Sequence, residues 1–234
     1  MSQTILITGA SSGIGYARHR LILCGNTNIK PLQDLQAAHP HHSISIIQGN
    51  VSSPDFLNTT FRQSLHHFGI EAIDAAVINH GTLGNCKKVS ESEVEDWSEV
   101  LQVNFLSYVG LGRIILTSSG AATSGTTTWG AYGASKAAVN HLALTLAKEE
   151  PEVTTIAVRP GMVDTQMQTD IRGKFAGSMG ADGQRFVSAY QDGKLLSADK
   201  PGNVIARLAL RGPKQLSGQF VTWNDEDKLK EFQD

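Results

Sequence analysis

The stretch ILITGASSGIG, residues 5–15, decides the architecture. Ile5, Leu6, Ile7 and Thr8 read as a strand, and glycines at 9, 13 and 15 follow in the order Thr-Gly-x-x-x-Gly-x-Gly, with a helix expected next. Glycine permits a tight turn at the strand end and lets backbone N–H groups approach a pyrophosphate at the positive end of the helix. Three glycines alone would mark a turn and no more. The strand before them and their order make a dinucleotide cradle the stronger reading.

Outward from this turn, short β-rich runs alternate with helical patterns. The runs fall at residues 4–8, 21–24, 43–48, 75–79, 113–118, 154–159 and 219–223, which predicts about seven strands, mostly parallel. Several are continuously apolar rather than alternating, as a sheet covered on both faces requires. With 234 residues and 40% hydrophobic content, residues 1–234 are expected to form a single α/β domain. The segment at about 168–197, rich in Gly and small polar residues, reads as a flexible substrate segment over the active site.

The formal charge of −2 and the scattered Lys and Arg residues predict no nucleic-acid partner. No stretch approaches the ~20 apolar residues of a bilayer span, and the start MSQTILITGA carries no signal-peptide pattern. Cys24 and Cys86, in no metal-like spacing, fit a reduced cytoplasmic protein. The histidines at 39, 41 and 42 lack an acidic or Cys partner at ligand spacing, so no metal site is expected.

Chemistry is concentrated in ILTSSG and AYGASKAAVNHL. Tyr132 and Lys136 are four residues apart, which on a helix puts them on one face, and Ser119 lies thirteen residues before the tyrosine. An ammonium beside a phenol favours the phenolate and is expected to lower a pKa otherwise about 10. Ser119 can donate to a carbonyl oxygen that Tyr132 protonates as hydride arrives. Trp129, three residues before the tyrosine, is a candidate for the substrate pocket wall, with ordinary packing as its alternative.

With the glycine turn, these residues resemble the short-chain dehydrogenase/reductase family, and most closely its fungal carbonyl reductases related to sepiapterin and benzil reductases. The likeness runs over nearly the whole chain. It implies a Rossmann-type doubly wound parallel sheet in the order 3-2-1-4-5-6-7 and an NADPH-dependent oxidoreductase that reduces a carbonyl to an alcohol. It implies a catalytic set of Asn104, Ser119, Tyr132 and Lys136, with Lys136 also on the nicotinamide ribose and Asn104 holding a water in the proton relay. The offset to Tyr132 selects Ser119 over Ser118. The implied cofactor contacts include Gly9, Ser11, Ser12, Gly13, Ile14 and Gly15 in the turn, and Asn50 and Val51 against the adenine. Asn79 and Gly81 follow in INHG, where His80 replaces the family's usual Ala. Pro160, Gly161, Val163 and Thr165 in RPGMVDTQM correspond to the loop that meets the nicotinamide carboxamide.

Asn26 stands after the second predicted strand, in Gly-Asn-Thr, where a carboxylate would exclude the extra phosphate of NADP. NADP(H) is therefore favoured, with NAD(H) also possible, and Lys30 is the nearest cation. A pterin substrate is suggested by SGQFVTWND, which resembles the end of sepiapterin reductases, yet Thr222 stands where those place an acid and Asp225 is three residues on. A small aromatic or aliphatic carbonyl is the preferred substrate.

Two crossover helices look shortened. Leu21 lies only eight positions after Gly13, and eight residues, FLSYVGLG, follow Asn104 before Arg113. Each gap reads as a loss of about a dozen residues. The family's homodimer uses a helix in the second interval. A catalytically weak dinucleotide-binding protein is accordingly the alternative function.

Overall fold

The computed structural model describes residues 3–10, 20–50, 53, 56–70, 73–106 and 113–233. Seven strands form one parallel sheet in the order β3-β2-β1-β4-β5-β6-β7. They are β1 (Thr4–Thr8), β2 (Arg20–Gly25), β3 (Ile44–Gln48), β4 (Ala75–Ile78), β5 (Arg113–Thr117), β6 (Thr155–Arg159) and β7 (Phe220–Thr222). The predicted order and all seven strands are present, with ends displaced by at most one residue, because every run was apolar enough to be buried on both sides. The two shortened crossovers fall largely at 11–19 and 107–112, outside the described residues. The strands on either side of each gap are in place: β1 pairs with β2 and β4 with β5, both in parallel.

Alternation along each strand sends its side chains to two cores. Ile5, Ile7, Val77, Ile115, Ile156 and Val158 face one layer. There they meet Val204, Ile205, Leu208 and Ala209, which form the apolar stripe of α8 (Asp199–Arg211). Leu6, Ala76, Ile78, Ile114, Leu116 and Ala157 face the other. There they meet Val139 and Ala143 of the long helix Gly130–Glu149.

Three helices precede that long one: α1 (Lys30–Ala38), α2 (Phe56–Phe68) and α3 (Val94–Leu101). The long helix is α4 (Gly130–Glu149). Asp96 and Glu93 close a capping box at the start of α3, which satisfies donors that the first helical turn leaves unpaired. After Leu101 the helix widens into a π-turn over Gln102–Leu106, a local irregularity often found at functional sites, and this one carries Asn104.

The segment at 168–197, expected as a flexible stretch, is mainly helical: α5 (Gln166–Asp170), a π-turn Ile171–Phe175, α6 (Ala176–Met179) and α7 (Ala181–Gln191). A Cβ on Gly183 would lie 2.1 Å from the Ala176 carbonyl oxygen, so this glycine serves close helix packing rather than looseness. Ile171, Met179 and Phe186 form a third core cluster with Trp129 and Tyr132. A short final helix, α9 (Glu226–Leu229), follows β7. Among the described residues no helix is long and apolar enough to cross a membrane, and none group as a metal site.

Candidate active site

The carboxyl ends of β1, β4 and β5 are held together by one amide. Asn79 Nδ2 donates to the Gly9 carbonyl at 3.1 Å, and its Oδ1 accepts from Thr117 Oγ1 at 3.1 Å. Its backbone N–H donates to Thr8 Oγ1 at 3.2 Å. Gly9 has φ of +60°, and a Cβ there would lie 2.8 Å from the backbone of His80, so only glycine fits this passage. A cleft of about 690 Å³ opens above these strand ends. It runs from Gly25, Asn26, Thr27 and Asn28 at one end to Ser119, Trp129 and Tyr132 at the other.

Ser119 caps a short turn, Gly120–Ala122, accepting from the Ala121 N–H at 3.2 Å. Its hydroxyl lies close enough to the Tyr132 phenol to pull that group's pKa down. Ser118 points elsewhere and donates to Asn140 Oδ1 of α4 at 2.6 Å. The two hydroxyls thus make different contacts. Strand alternation explains it: consecutive residues leave β5 in opposite directions.

Tyr132, Ser135, Lys136, Val139 and Ala143 make the buried face of α4, so the expected helical neighbours do share one face. A Cβ on Gly133 would stand 3.0 Å from the Ala121 carbonyl oxygen, which shows how tightly the start of α4 sits on the Ser119 turn. Lys136 Nζ donates to the Thr117 carbonyl at 2.9 Å and lies 6.0 Å from the Tyr132 ring centroid. Burial pushes the Lys136 ammonium down to about 8.

The expected lowering of the Tyr132 pKa is not found in the ligand-free chain. Burial raises it, and the Ser119 hydrogen bond opposes that rise only in part. Desolvation of a phenolate outweighs the other influences when the phenol is 7% exposed.

Asn104 is fully buried, and its amide is spent on a clamp. Oδ1 accepts from the Thr82 N–H at 2.7 Å, while Nδ2 donates to the Thr82 carbonyl at 2.9 Å and to Ser135 Oγ at 3.1 Å. It joins the loop after β4 to α4 one turn from the tyrosine. Gly81 lies against this clamp, since a Cβ on it would be 3.3 Å from Asn104 Oδ1 and 3.6 Å from Lys136 Nζ.

His80 was not singled out as a site residue in the sequence, although its departure from the family's alanine was the available signal. Its Nδ1 is 2.8 Å from Thr8 Oγ1, and the ring is buried. Burial first, then the Lys136 charge, push its pKa down to about 4, against a hydrogen bond with the Val103 backbone.

Pro160, Gly161, Val163 and Thr165 line the cleft, as do Asn26, Asn79 and Gly81. Gly161 has φ of +82°, and Val163 forms a parallel bridge with Leu196 that pins the loop. Thr165 Oγ1 donates to the Val163 carbonyl at 3.2 Å. Asn50 ends the chain run after β3 and is not in the cleft lining. Ser11, Ser12, Gly13, Ile14, Gly15 and Val51 lie outside the described residues. Lys30 pairs with Asp34 on exposed α1 and does not line the cleft. Trp129 packs at 5.1 Å from the Tyr132 ring and 5.3 Å from Phe186 and also lines the cleft, so both of its readings apply. Arg159, Gln168, Arg185 and Phe186 line it too and were not anticipated.

Known proteins match this arrangement. An oxidoreductase of Saccharomyces cerevisiae, YIR035C, is 33% identical over 249 aligned positions, covering 96% of this chain and 97% of that protein. A benzil reductase forming (S)-benzoin, also from Saccharomyces cerevisiae, is 32% identical, covering 97% of each. The crystal structure of yeast YIR035C superposes with a TM-score of 0.91 at 32% identity over 100% of both chains. The family model for short chain dehydrogenases matches residues 3–175, and with the sheet order and the Ser119, Tyr132 and Lys136 geometry it places this chain in the short-chain dehydrogenase/reductase family, whose members are NAD(P)-dependent oxidoreductases of carbonyl and alcohol groups.

Proposed function

We propose that the chain is an NADPH-dependent carbonyl reductase, with Asn104, Ser119, Tyr132 and Lys136 as its catalytic set. The observation that carries this reading is the joint presence of Ser119, Tyr132 and the buried Lys136 in the lining of one cleft of about 690 Å³. The residues fit such a cofactor. Gly9 leaves the passage that a side chain would block, and among the described residues no Asp or Glu lines the cleft.

The cofactor, when bound, would supply hydride to the carbonyl carbon. Tyr132 then gives its proton to the carbonyl oxygen, and burial suits it to that role by keeping it protonated at neutral pH. The Ser119 hydroxyl orients the same oxygen. Lys136, anchored on the Thr117 carbonyl with its ammonium 6.0 Å from the Tyr132 ring centroid, would hold the nicotinamide ribose. Asn104 keeps α4 at the correct distance from the loop after β4.

The preference for NADPH rests on Asn26, Thr27 and Asn28, which offer no carboxylate to repel a 2′-phosphate. A pterin is less supported than a small aromatic or aliphatic carbonyl. Asp225, the nearest acid to the position expected to anchor one, is used as the cap of α9, accepting from the Lys228 N–H at 3.1 Å, and does not line the cleft. The yeast relative's name supplies the test substrate. Titrating NADPH and NADH by nicotinamide fluorescence and following cofactor oxidation with benzil should show tighter NADPH binding with turnover. Binding without turnover on any activated diketone would reject the reductase reading, and tighter NADH binding would reject the cofactor preference.

A further inference from the structure

The substrate end of the cleft has an unbalanced charge. Among the described residues its cationic side chains are Lys136, Arg159 and Arg185, and no acidic residue lines it. Lys136 is committed to the Thr117 carbonyl. The two arginines are exposed, and among the described residues neither guanidinium makes a hydrogen bond or an ion pair. The acid nearest to Arg185 along its helix is Asp182, whose carboxylate is occupied by the Thr127 N–H and hydroxyl, both at 2.8 Å. Both of those bonds fall on Oδ2, and the Arg185 charge acts on this carboxylate without a hydrogen bond or ion pair among the described residues.

Their positions bracket the reacting atoms. The Arg159 guanidinium carbon lies 2.9 Å from where a Cβ on Gly120 would stand, and Gly120 directly follows Ser119. The missing side chain is what lets the planar group lie on the Ser119 turn. Arg185 sits over the Phe186 ring at 5.2 Å, and Phe186 adjoins Trp129, which adjoins Tyr132. Met162, Met167 and Ile171 add an apolar wall to the same cleft. A guanidinium fork matches a carboxylate in shape and charge and can bind it through two parallel hydrogen bonds.

We propose that the preferred substrate is a keto acid, a carbonyl compound carrying a carboxylate and an apolar group, with the carboxylate held by Arg159 and Arg185. This rests on the carbonyl reductase reading. Reduction adds a hydride from the dinucleotide to the carbonyl carbon and the Tyr132 proton to its oxygen, giving a hydroxy acid and the oxidised dinucleotide. The carboxylate is unchanged throughout.

The test compares benzoylformate with its methyl ester, which differ in the charge, and uses benzil as a neutral reference. The wild-type chain should show kcat/KM for the acid exceeding that for the ester on the order of tenfold. Calorimetry on protein saturated with NADP⁺ should show benzoylformate binding at least about tenfold tighter than the ester. In Arg159→Gln/Arg185→Gln both ratios should fall toward one. Turnover of benzil and the ester without preference for the acid overturns this proposal alone. Ratios that persist in the double variant also overturn it, as does a loss of NADPH affinity with the ratios unmoved, which would give the arginines to the cofactor phosphates. Folded wild-type protein that binds NADPH and reduces none of the three compounds overturns the reductase reading and this proposal together.

Discussion

Lys136 Nζ and the Tyr132 ring are 6.0 Å apart on one buried helix face, and the ammonium reaches past the ring to the Thr117 carbonyl. The lysine therefore serves the strand end and the tyrosine at once. Tyr132→Phe keeps the ring and its packing but removes the proton donor. Turnover of benzil should fall by about 10²-fold or more, with NADPH affinity retained. Steady-state kinetics beside a fluorescence titration decide this, and wild-type turnover would reject Tyr132 as the acid.

Ser118 and Ser119 are adjacent yet make different contacts. Ser119→Ala should cost about tenfold or more in kcat because it removes the partner of the Tyr132 hydroxyl. Ser118→Ala should leave turnover near wild type and lower stability by roughly 1 kcal/mol, through loss of its hydrogen bond to Asn140. Equal kinetic damage from both would contradict the assignment.

Lys136 is 3% exposed, and its pKa is depressed from 10.5 to about 8. A group with a lowered folded pKa contributes full stability above its unfolded value and loses it as pH falls toward the folded value. At neutral pH the buried ammonium is thus a cost. Lys136→Met should raise unfolding stability by roughly 2 kcal/mol at pH 7 while abolishing turnover. Urea denaturation of the ligand-free chain measures the first effect, and a less stable variant would be the contrary result.

His80 is held neutral, with its pKa lowered to about 4 from 6.5. The unfolded chain takes up a proton below about 6.5 and the folded chain resists until about 4, so stability falls across that window, by up to roughly 3 kcal/mol from this residue. Lys136, the charge that adds to burial, stays protonated throughout the window. His80→Ala should show a shallower stability loss between pH 6.5 and 4 than the wild type. Parallel loss in both proteins would rule out His80 as the source.

Gly9→Ala places a Cβ at 2.8 Å from the His80 backbone in a residue with φ of +60°. The backbone strain alone should cost about 1–2 kcal/mol, and the displaced His80 strand end should weaken NADPH binding as well. A variant with wild-type stability and affinity would show that the passage is wider than its geometry implies.

The sheet was legible because each strand is a short apolar run buried on both faces, and the catalytic helix because Tyr132 and Lys136 keep helical spacing. The cover was not. Gly173, Gly177, Gly180 and Gly183 read as breaks, yet Gly183 is packed against Ala176 and Gly180 is the left-handed joint between α6 and α7. Their meaning depends on which helix lies opposite, which a linear pattern does not carry. Arg159 and Arg185 come from β6 and α7, so their convergence on one end of the cleft is likewise a property of the fold. The lysine's effect on the tyrosine pKa was overestimated because spacing conveys proximity of charge and says nothing of desolvation.

Asn79 knots three strand ends into one plate through Gly9, Thr8 and Thr117. Everything that must stay fixed for hydride transfer is referred to that plate, whereas α5 to α7 come from one uninterrupted stretch of chain laid across it. On the proposed function the molecule divides into a floor that keeps the reaction and a roof that chooses the guest. Exchanging the roof as a single cassette is therefore a route to new substrates that leaves the chemistry in place.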